Sequence, residues 1–514
     1  TLDIADAAPG RIFRAKPEEN LYFTEIAAAP AFSHRENDFE DFNRERLLPH
    51  RFSRTGGTLA VGDVNGDGLE DFFTGGAAGQ AGAVFLQKKS PAGTSGSPLG
   101  AGGSGARFEP SKQPALETDR NFEDTGSLLF DADGDGDLDL YVVSGGNEFP
   151  AGDPGYQDRL YLNDSKGNFT RSKAALPAET SSGSKVAAHD FDSDGDLDLF
   201  VGGQVTPGAY PQAPQSFILK NEGGKFTDVT ATVAPDFQRI GMVNDLLFAD
   251  LDADGKAELI VTGEWLPIQI FKIENARIIH HSGWWNCLAA ADLDGDGDLD
   301  LAAGNLGLNT RYRASKLHLY TKDFDANGST DPILCVEENG RILPVAMRDN
   351  LIKQLPGLKK KFLRNTTYSK SAIEDVFSES ELKTALHLEA QTLASAWFEN
   401  QNGKFVMHVL PDEAQLSPVK KIQAADFTGD GKIDLLLAGN DDGYDVETGT
   451  LHASPGCLLV NDGKGNFKAL LGKKAGFFTP GEVRDVVPVR LSSGKTWWLV
   501  ANNNERLQLF EQRD

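Results

Sequence analysis

Short apolar runs recur along this chain, and most of them follow directly on a polar stretch in which acidic or amide residues alternate with small ones, as in "DADGDGDLDLYVVSGG". Runs of this length, bounded by Gly, Asn and Asp, read as β-strands rather than helices. Downstream of several of these runs lies a second pattern, two apolar segments around an Asn/Gly-rich tip. Examples are "LYLNDSKGNFT" from Leu160, "FILKNEGGKFTDVT" from Phe217, "AWFENQNGKFVMHV" from Ala396 and "CLLVNDGKGNFKAL" from Cys457. Each predicts a β-hairpin. The unit is therefore strand, polar loop, strand, then a hairpin pair, which makes four antiparallel strands.

The polar stretches share a strict spacing. Their first, third, fifth and ninth positions are Asp63, Asn65, Asp67 and Asp71; Asp131, Asp133, Asp135 and Asp139; Asp190, Asp192, Asp194 and Asp198; and Asp250, Asp252, Asp254 and Glu258. The series continues with Asp292, Asp294, Asp296 and Asp300; Asp323, Asp325, Asn327 and Asp331; and Asp426, Thr428, Asp430 and Asp434. The sixth position is Gly in all seven copies. Hard oxygen donors on alternate residues, bent around one point by a glycine free to take positive φ, are what a calcium ion requires. A helix–loop–helix calcium site is excluded, because the twelfth position is Thr74, Val142, Val201, Val261, Ala303, Leu334 or Leu437, each inside a strand-like run. The expectation is about six or seven Ca2+ ions, with the Thr428 loop the weakest.

Spacing sets the architecture. The loops begin at 63, 131, 190 and 250, a repeat of roughly 60 residues, and repeated four-stranded units of this size stack as blades of a β-propeller. A degenerate last unit, "VRLSSGKTWWLVANN", aligns with "DFTGDGKIDLLLAGN" and retains the turn glycine, Gly494, without the carboxylates. It has "RLQLFEQ" as a third strand and needs a fourth, which "LYFTEIA" (residues 21–27) supplies, closing the ring. The predicted organisation is an N-terminal segment at 1–56, a propeller at 57–514, and a helical insertion at 347–390. Eight blades are favoured and seven are the alternative. The Asp323 loop falls in the outer hairpin of blade five or begins a shortened sixth blade.

Two segments break the pattern. Residues 90–106, rich in Gly and Ser, read as a flexible loop at the outer edge of blade one. In the helical insertion Leu351, Leu355, Leu358, Ile373, Val376 and Phe377 recur at helical spacing and are expected to pack on the edge of a blade.

Charge narrows the partners. The 514 residues carry 50 basic and 76 acidic side chains, net −26, which repels nucleic-acid phosphates and anionic lipid. The three cysteines are far apart and odd in number, so they read as small core thiols. No apolar run is long enough to span a membrane, and "TLDIADAAPG" has no signal-peptide pattern, so any export signal is expected to be already removed or never present.

These repeats resemble the FG-GAP and VCBS family of calcium-binding propellers, through the seven loops and the "FFTGG", "VVSGG", "LFVGG" and "LAAGN" strands that follow. Longer stretches, "FEDFNRERLLPHRFSRTG", "VTGEWLPIQIF", "AGNLGLNTRYRASK" and "LPGLKKKF", are similar to a Bacteroidetes VCBS surface-protein group. That resemblance implies an exported, often lipid-anchored protein of the outer membrane or cell surface, associated with transporter complexes for nutrient uptake. The calcium loops occupy one face of such a propeller, and the loops after each second strand emerge on the other. The latter gather Asn147, Tyr156, Arg159, Tyr210, Trp265, Asn309, Arg311, Tyr312 and Tyr444. Aromatic, amide and Arg side chains of this kind suit a protein partner, a glycan or a peptide, with Trp265, Arg311 and Tyr312 at the expected centre. No Lys or His stands in an activating constellation, so no catalytic residue is assigned. The expected role is a non-enzymatic binding or scaffold subunit. A calcium-dependent polysaccharide-lyase-like enzyme and an adhesin are the alternatives.

Overall fold

The computed structural model describes residues 21–513 apart from 28, 90–105, 273–274 and 313–315. The Gly/Ser segment therefore lies almost wholly outside the described residues, between the two outer strands of blade one.

The chain is an all-β propeller built of antiparallel blades. Blade one is Leu59–Gly62, Asp71–Thr74, Ala83–Lys89 and Ala106–Ser111. Blade two is Asp124–Phe130, Asp139–Ser144, Arg159–Leu162 and Thr170–Ser172, and blade three is Ser182–His189, Asp198–Val205, Phe217–Asn221 and Phe226–Asp228. Blade four has three strands, Met242–Ala249, Glu258–Lys272 and Asn275–Trp284. Its middle strand bends at Trp265, where φ is 63°. The half before the bend pairs with the inner strand and the half after it with the outer one. Blade five is Cys287–Ala291, Asp300–Gly304, Ala396–Gln401 and Lys404–Val409, and blade six is Val419–Ala425, Asp434–Gly439, Cys457–Asn461 and Phe467–Leu471. Blade seven takes Val483–Arg490, Thr496–Asn502 and Gln508–Gln512 from the end of the chain and Phe23–Glu25 from its beginning. The inner strands touch in cyclic order, blade seven meeting blade one.

Eight sheets are described, but seven form the ring, so the alternative count is the one that applies to the propeller. The eighth sheet, ordered Arg341–Pro344, Asp331–Glu338, Leu317–Lys322, Leu386–Ala390, is inserted between the second and third strands of blade five. The Asp323 loop belongs to this insert and to neither of the places expected for it. Blade five is completed across the insertion, with Leu301 opposite Phe398 and Ala303 opposite Ala396.

Period-two alternation explains how the insert is held. Leu317, Leu319 and Leu334 face the propeller, while Tyr320, Ile333 and Cys335 face away. The helices Arg348–Gln354, Asn365–Tyr368 and Ile373–Val376 cover the outward side. Leu351, Leu355, Ile373, Val376 and Phe377, with Leu358 partly buried beside them, pack there, on the inserted sheet and not on a blade edge. All three cysteines are buried and unpaired.

Ring closure depends on Phe23, which is fully buried with its ring 5.6 Å from Phe427 and 5.5 Å from Phe477. Phe23→Ala should cost about 3–5 kcal/mol in urea unfolding. Val446→Ala, at a position 94% exposed, should stay within about 0.5 kcal/mol; equal effects would show that the N-terminal strand does not close the ring.

Candidate functional site

In all seven oxygen-rich loops the first eight positions connect the first two strands of a sheet, and the ninth opens the second strand. The sixth-position glycines, Gly68, Gly136, Gly195, Gly255, Gly297, Gly328 and Gly431, have φ between 80° and 99°, which a side chain would resist. The fourth position is also left-handed throughout, with Ser193, Ala253 and Ala326 in place of glycine in three loops.

Every ninth-position carboxylate is buried. One oxygen accepts the N–H of the second loop residue, as in Ala132 to Asp139 (3.0 Å), Leu251 to Glu258 (2.8 Å) and Leu293 to Asp300 (2.9 Å). In five blades the other oxygen accepts an N–H from the third strand, given by Gln87, Asn163, Asn221, Asn400 or Asn461 at 2.7–2.8 Å. In the insert Gln354 Nε2 takes that place on Asp331, at 2.7 Å. Burial, with the neighbouring loop carboxylates adding to it, pushes Asp71, Asp139, Asp198 and Asp300 up to about 6.

Carboxylates within single loops converge. Ligand oxygens of Asp131, Asp133 and Asp139 lie within 4.8 Å of one another, as do those of Asp190, Asp192 and Asp194, and those of Asp250, Asp252 and Asp254. An all-oxygen set of this density is one that a hard dication would take. Four loops have an internal cation nearby: Lys88 lies 3.6 Å from Asp67 and Lys432 3.0 Å from Asp430, and in the other two loops a lysine reaches more than one carboxylate. Lys220 pairs with Asp192 and reaches Asp194 at 3.3 Å. Lys272 reaches Asp252, Asp254 and Glu258 at 2.5, 2.8 and 3.3 Å.

The third strands supply a second device that the sequence pattern alone did not single out. Asn163, Asn221, Asn400 and Asn461 each donate Nδ2 to two carbonyls, one in their own loop and one in the loop of the preceding blade. For Asn461 these are Ile433 O (2.8 Å) and Leu293 O (2.7 Å). Gln87 does the same between Glu70 O and Arg490 O, joining blade one to blade seven.

On the opposite face most of the residues expected to be displayed are buried. Trp265, Tyr210, Tyr312, Tyr444 and Trp284 form the floor on which the inserted sheet rests, together with Leu48 and Phe52 of the N-terminal segment. Trp265 Nε1 donates to Tyr210 Oη (2.8 Å), Tyr210 Oη to Glu264 (2.6 Å), and His50 Nε2 lies 2.9 Å from the other Glu264 oxygen. Tyr156 turns its hydroxyl onto Phe149 O. Arg159 is fully committed between Asp124 (2.6 Å) and the Phe122 ring. Asn147 Nδ2 donates to Asp41, which anchors the N-terminal segment. Only Asn309 and Arg311 of the expected set are exposed. Arg311 reaches Thr448 Oγ1 and Val345 O, and within three residues of these positions along the chain lie the exposed apolar side chains Leu308 (54% exposed), Met347 (58%) and Val446 (94%).

Comparison with known proteins places two repeats of this type in the chain. An FG-GAP-like repeat matches residues 131–201 and an FG-GAP repeat matches residues 285–320. No curated protein matches the chain. Among solved structures, BBS1N in complex with ARL6DN is similar at 11% identity and a TM-score of 0.41, covering 90% of this chain and 94% of that one. The biofilm matrix protein Bap1 of V. cholerae is similar at 10% identity and a TM-score of 0.35, covering 96% and 92%.

The carboxamide bridges make a testable contribution to blade packing. Asn461→Ala removes both bridging bonds, although Leu293 O keeps the Gly465 N–H (3.1 Å), and should destabilise the fold by about 1–3 kcal/mol, read by chemical denaturation. Asn168→Ala, at an exposed tip, should have almost no effect; parity between the two would remove the bridging role.

Proposed function

We propose that this chain is a calcium-stabilised, non-enzymatic β-propeller that serves as a binding or scaffold subunit in a bacterial cell-surface or outer-membrane complex, in nutrient uptake. The observation that carries the reading is the sevenfold recurrence of one oxygen-rich loop, built on the same buried carboxylate and the same left-handed glycine. The FG-GAP-type repeats support it. Calcium would be held by the first, third, fifth and ninth side chains of each loop, where it would offset the crowding of like charge. With six of the loops at one end of the blades, recognition falls to the opposite face. The exposed patch there, Arg311 with Leu308, Met347 and Val446, combines an Arg with apolar surface and suits a protein partner.

A glycan ligand is the second reading. It is favoured by a cavity of about 300 Å³ lined by Ser181, Thr206, Gln215, Asp228 and Arg239, among others.

If ambient calcium stands a hundredfold above a loop's dissociation constant, that loop contributes about 2.7 kcal/mol. Excess chelator should therefore lower the melting temperature by many degrees, and an unchanged melting curve would remove calcium from the reading. Lys272 competes for the oxygens of its loop, so Lys272→Met should tighten one site in a calorimetric calcium titration; an unaltered isotherm would show that the ammonium does not compete.

Arg311→Ala combined with Met347→Asp should reduce capture of the native partner from membranes at least tenfold, with the melting temperature nearly unchanged. Tyr312, 2% exposed, is the wrong probe, because its truncation opens the floor beneath the insert. Full capture by the double variant would place recognition elsewhere.

A further inference from the structure

A second cluster of metal-ligating side chains lies on the face opposite the oxygen loops. His34 and Glu36 belong to the segment that runs from the closing strand of blade seven towards blade one. Glu123 precedes the inner strand of blade two, and Glu148 sits in the loop after that blade's second strand. Ligand atoms of His34, Glu36 and Glu123 lie within 4.8 Å of one another. Glu148 borders the same space, which two glycines keep open. A Cβ on Gly56 would come within 2.6 Å of Glu123 Oε1 and 3.0 Å of His34 Nε2. One on Gly146 would come within 2.2 Å of Glu148 Oε2 and 3.2 Å of Glu123 Cγ.

The hydrogen bonds orient lone pairs into this space. His34 Nδ1 donates to Asn503 Oδ1 (3.1 Å), and Asn503 is held in that orientation by its Nδ2 donating to Glu482 (2.8 Å). Nε2 therefore carries the lone pair, and it has no partner among the described residues, although His34 is only 2% exposed. Fully buried Glu123 accepts the Ala78 N–H on Oε2 (2.7 Å) and leaves Oε1 unpartnered. Glu148 accepts from Asn37 on Oε1 (3.1 Å) and leaves Oε2 unpartnered, and neither oxygen of Glu36 has a partner. Arg484 gives its Nη2 to Arg54 O and Glu482, each at 2.7 Å, while its Nε and that of Arg54 have no partner among the described residues, and both guanidinium charges act on Glu36 without donating a hydrogen bond to it.

His34 Nε2, both Glu36 oxygens, Glu123 Oε1 and Glu148 Oε2 are buried acceptor atoms that no hydrogen bond reaches; this is costly, and a shared proton satisfies only one pair of them. A cation satisfies all of them. We propose that His34, Glu36, Glu123 and Glu148 bind one divalent first-row metal ion of the Zn2+ or Mn2+ type, in a closed structural site that pins the N-terminal segment to blade two. The imidazole nitrogen separates this site from the all-oxygen loops. The outer hydrogen bonds on His34, Glu123 and Glu148 are those that orient ligands in structural metal sites. The cluster of His318, His387 and Glu389 differs, because both His318 nitrogens are already paired, with His387 (3.1 Å) and Glu337 (3.4 Å).

The test loads the full chain with Zn2+ or Mn2+ in excess Ca2+, dialyses it, and measures metal by mass spectrometry. Wild type should retain about one equivalent of one of the two metals, at the ordinary closed-site stoichiometry. Glu123→Gln, nearly isosteric, should lose at least nine-tenths of it without losing calcium. Anomalous diffraction from metal-loaded wild-type crystals makes the test independent of any variant. A peak about 2.0–2.2 Å from His34 Nε2 supports the site. No retained metal in wild type, equal retention in Glu123→Gln, or a peak only in the oxygen loops overturns it, and none of these outcomes bears on the calcium reading.

Discussion

The fold turns on a carboxylate placed where three segments meet. At the first residue of the second strand in blades one to six and in the insert, a buried Asp or Glu accepts one N–H from the loop it has just left. In five blades its other oxygen accepts an N–H from the third strand. A charged group is expensive to bury unless its lone pairs are met. The loop and the third strand must therefore both take up their shapes around it. The adjoining Asn or Gln side chain carries that constraint onward, since its Nδ2 or Nε2 group reaches into the preceding blade. Local loop geometry and blade-to-blade spacing are thus one hydrogen-bonded system, repeated around the ring.

The opposite face is organised differently. There the chain closes the structure with apolar and aromatic surface, seating the inserted sheet and residues 48–52 on Trp265, Trp284, Tyr312 and Tyr444. Trp265 adopts a left-handed backbone that a bulky residue resists, and its indole bond to Tyr210 and its tilted ring contact with Trp284 hold it there. The exposed chemistry is left to the rim, where the insert meets the loop after the second strand of blade six.

What could be read from the sequence was what is encoded locally. The loops span nine residues with a fixed order of donors and one required glycine, and the hairpins announce their tips, so sheets and loops were legible. Membership of the ring was not. The inserted sheet carries a full copy of the loop at Asp323, and nothing local marks it as lying outside the ring. What sets it outside is the pairing of Leu301 with Phe398, residues separated by the whole insertion. Aromatic loops likewise read the same whether they display their side chains or pack them, which is why Tyr156, Tyr210, Trp265, Tyr312 and Tyr444 were misplaced. The bridging asparagines stand in "LYLND", "LKNE" and "LVND", where turn chemistry accounts for them equally well. His34, Glu36, Glu123 and Glu148 have no diagnostic spacing, because only the closed fold brings them together.

Blade seven joins Gln508–Gln512 to Phe23–Glu25, the last described strand to the first. The ring cannot close until both of these strands are present, so a growing chain passes through an open arc. Until the two pair, the strand at Gln508–Gln512 offers a bare edge, and Phe23 stays outside its pocket. A neighbouring molecule in the same state presents the same pair, and reciprocal exchange of the N-terminal strands would satisfy both. High local concentration thus favours an exchanged dimer, and assembly one molecule at a time favours the closed monomer.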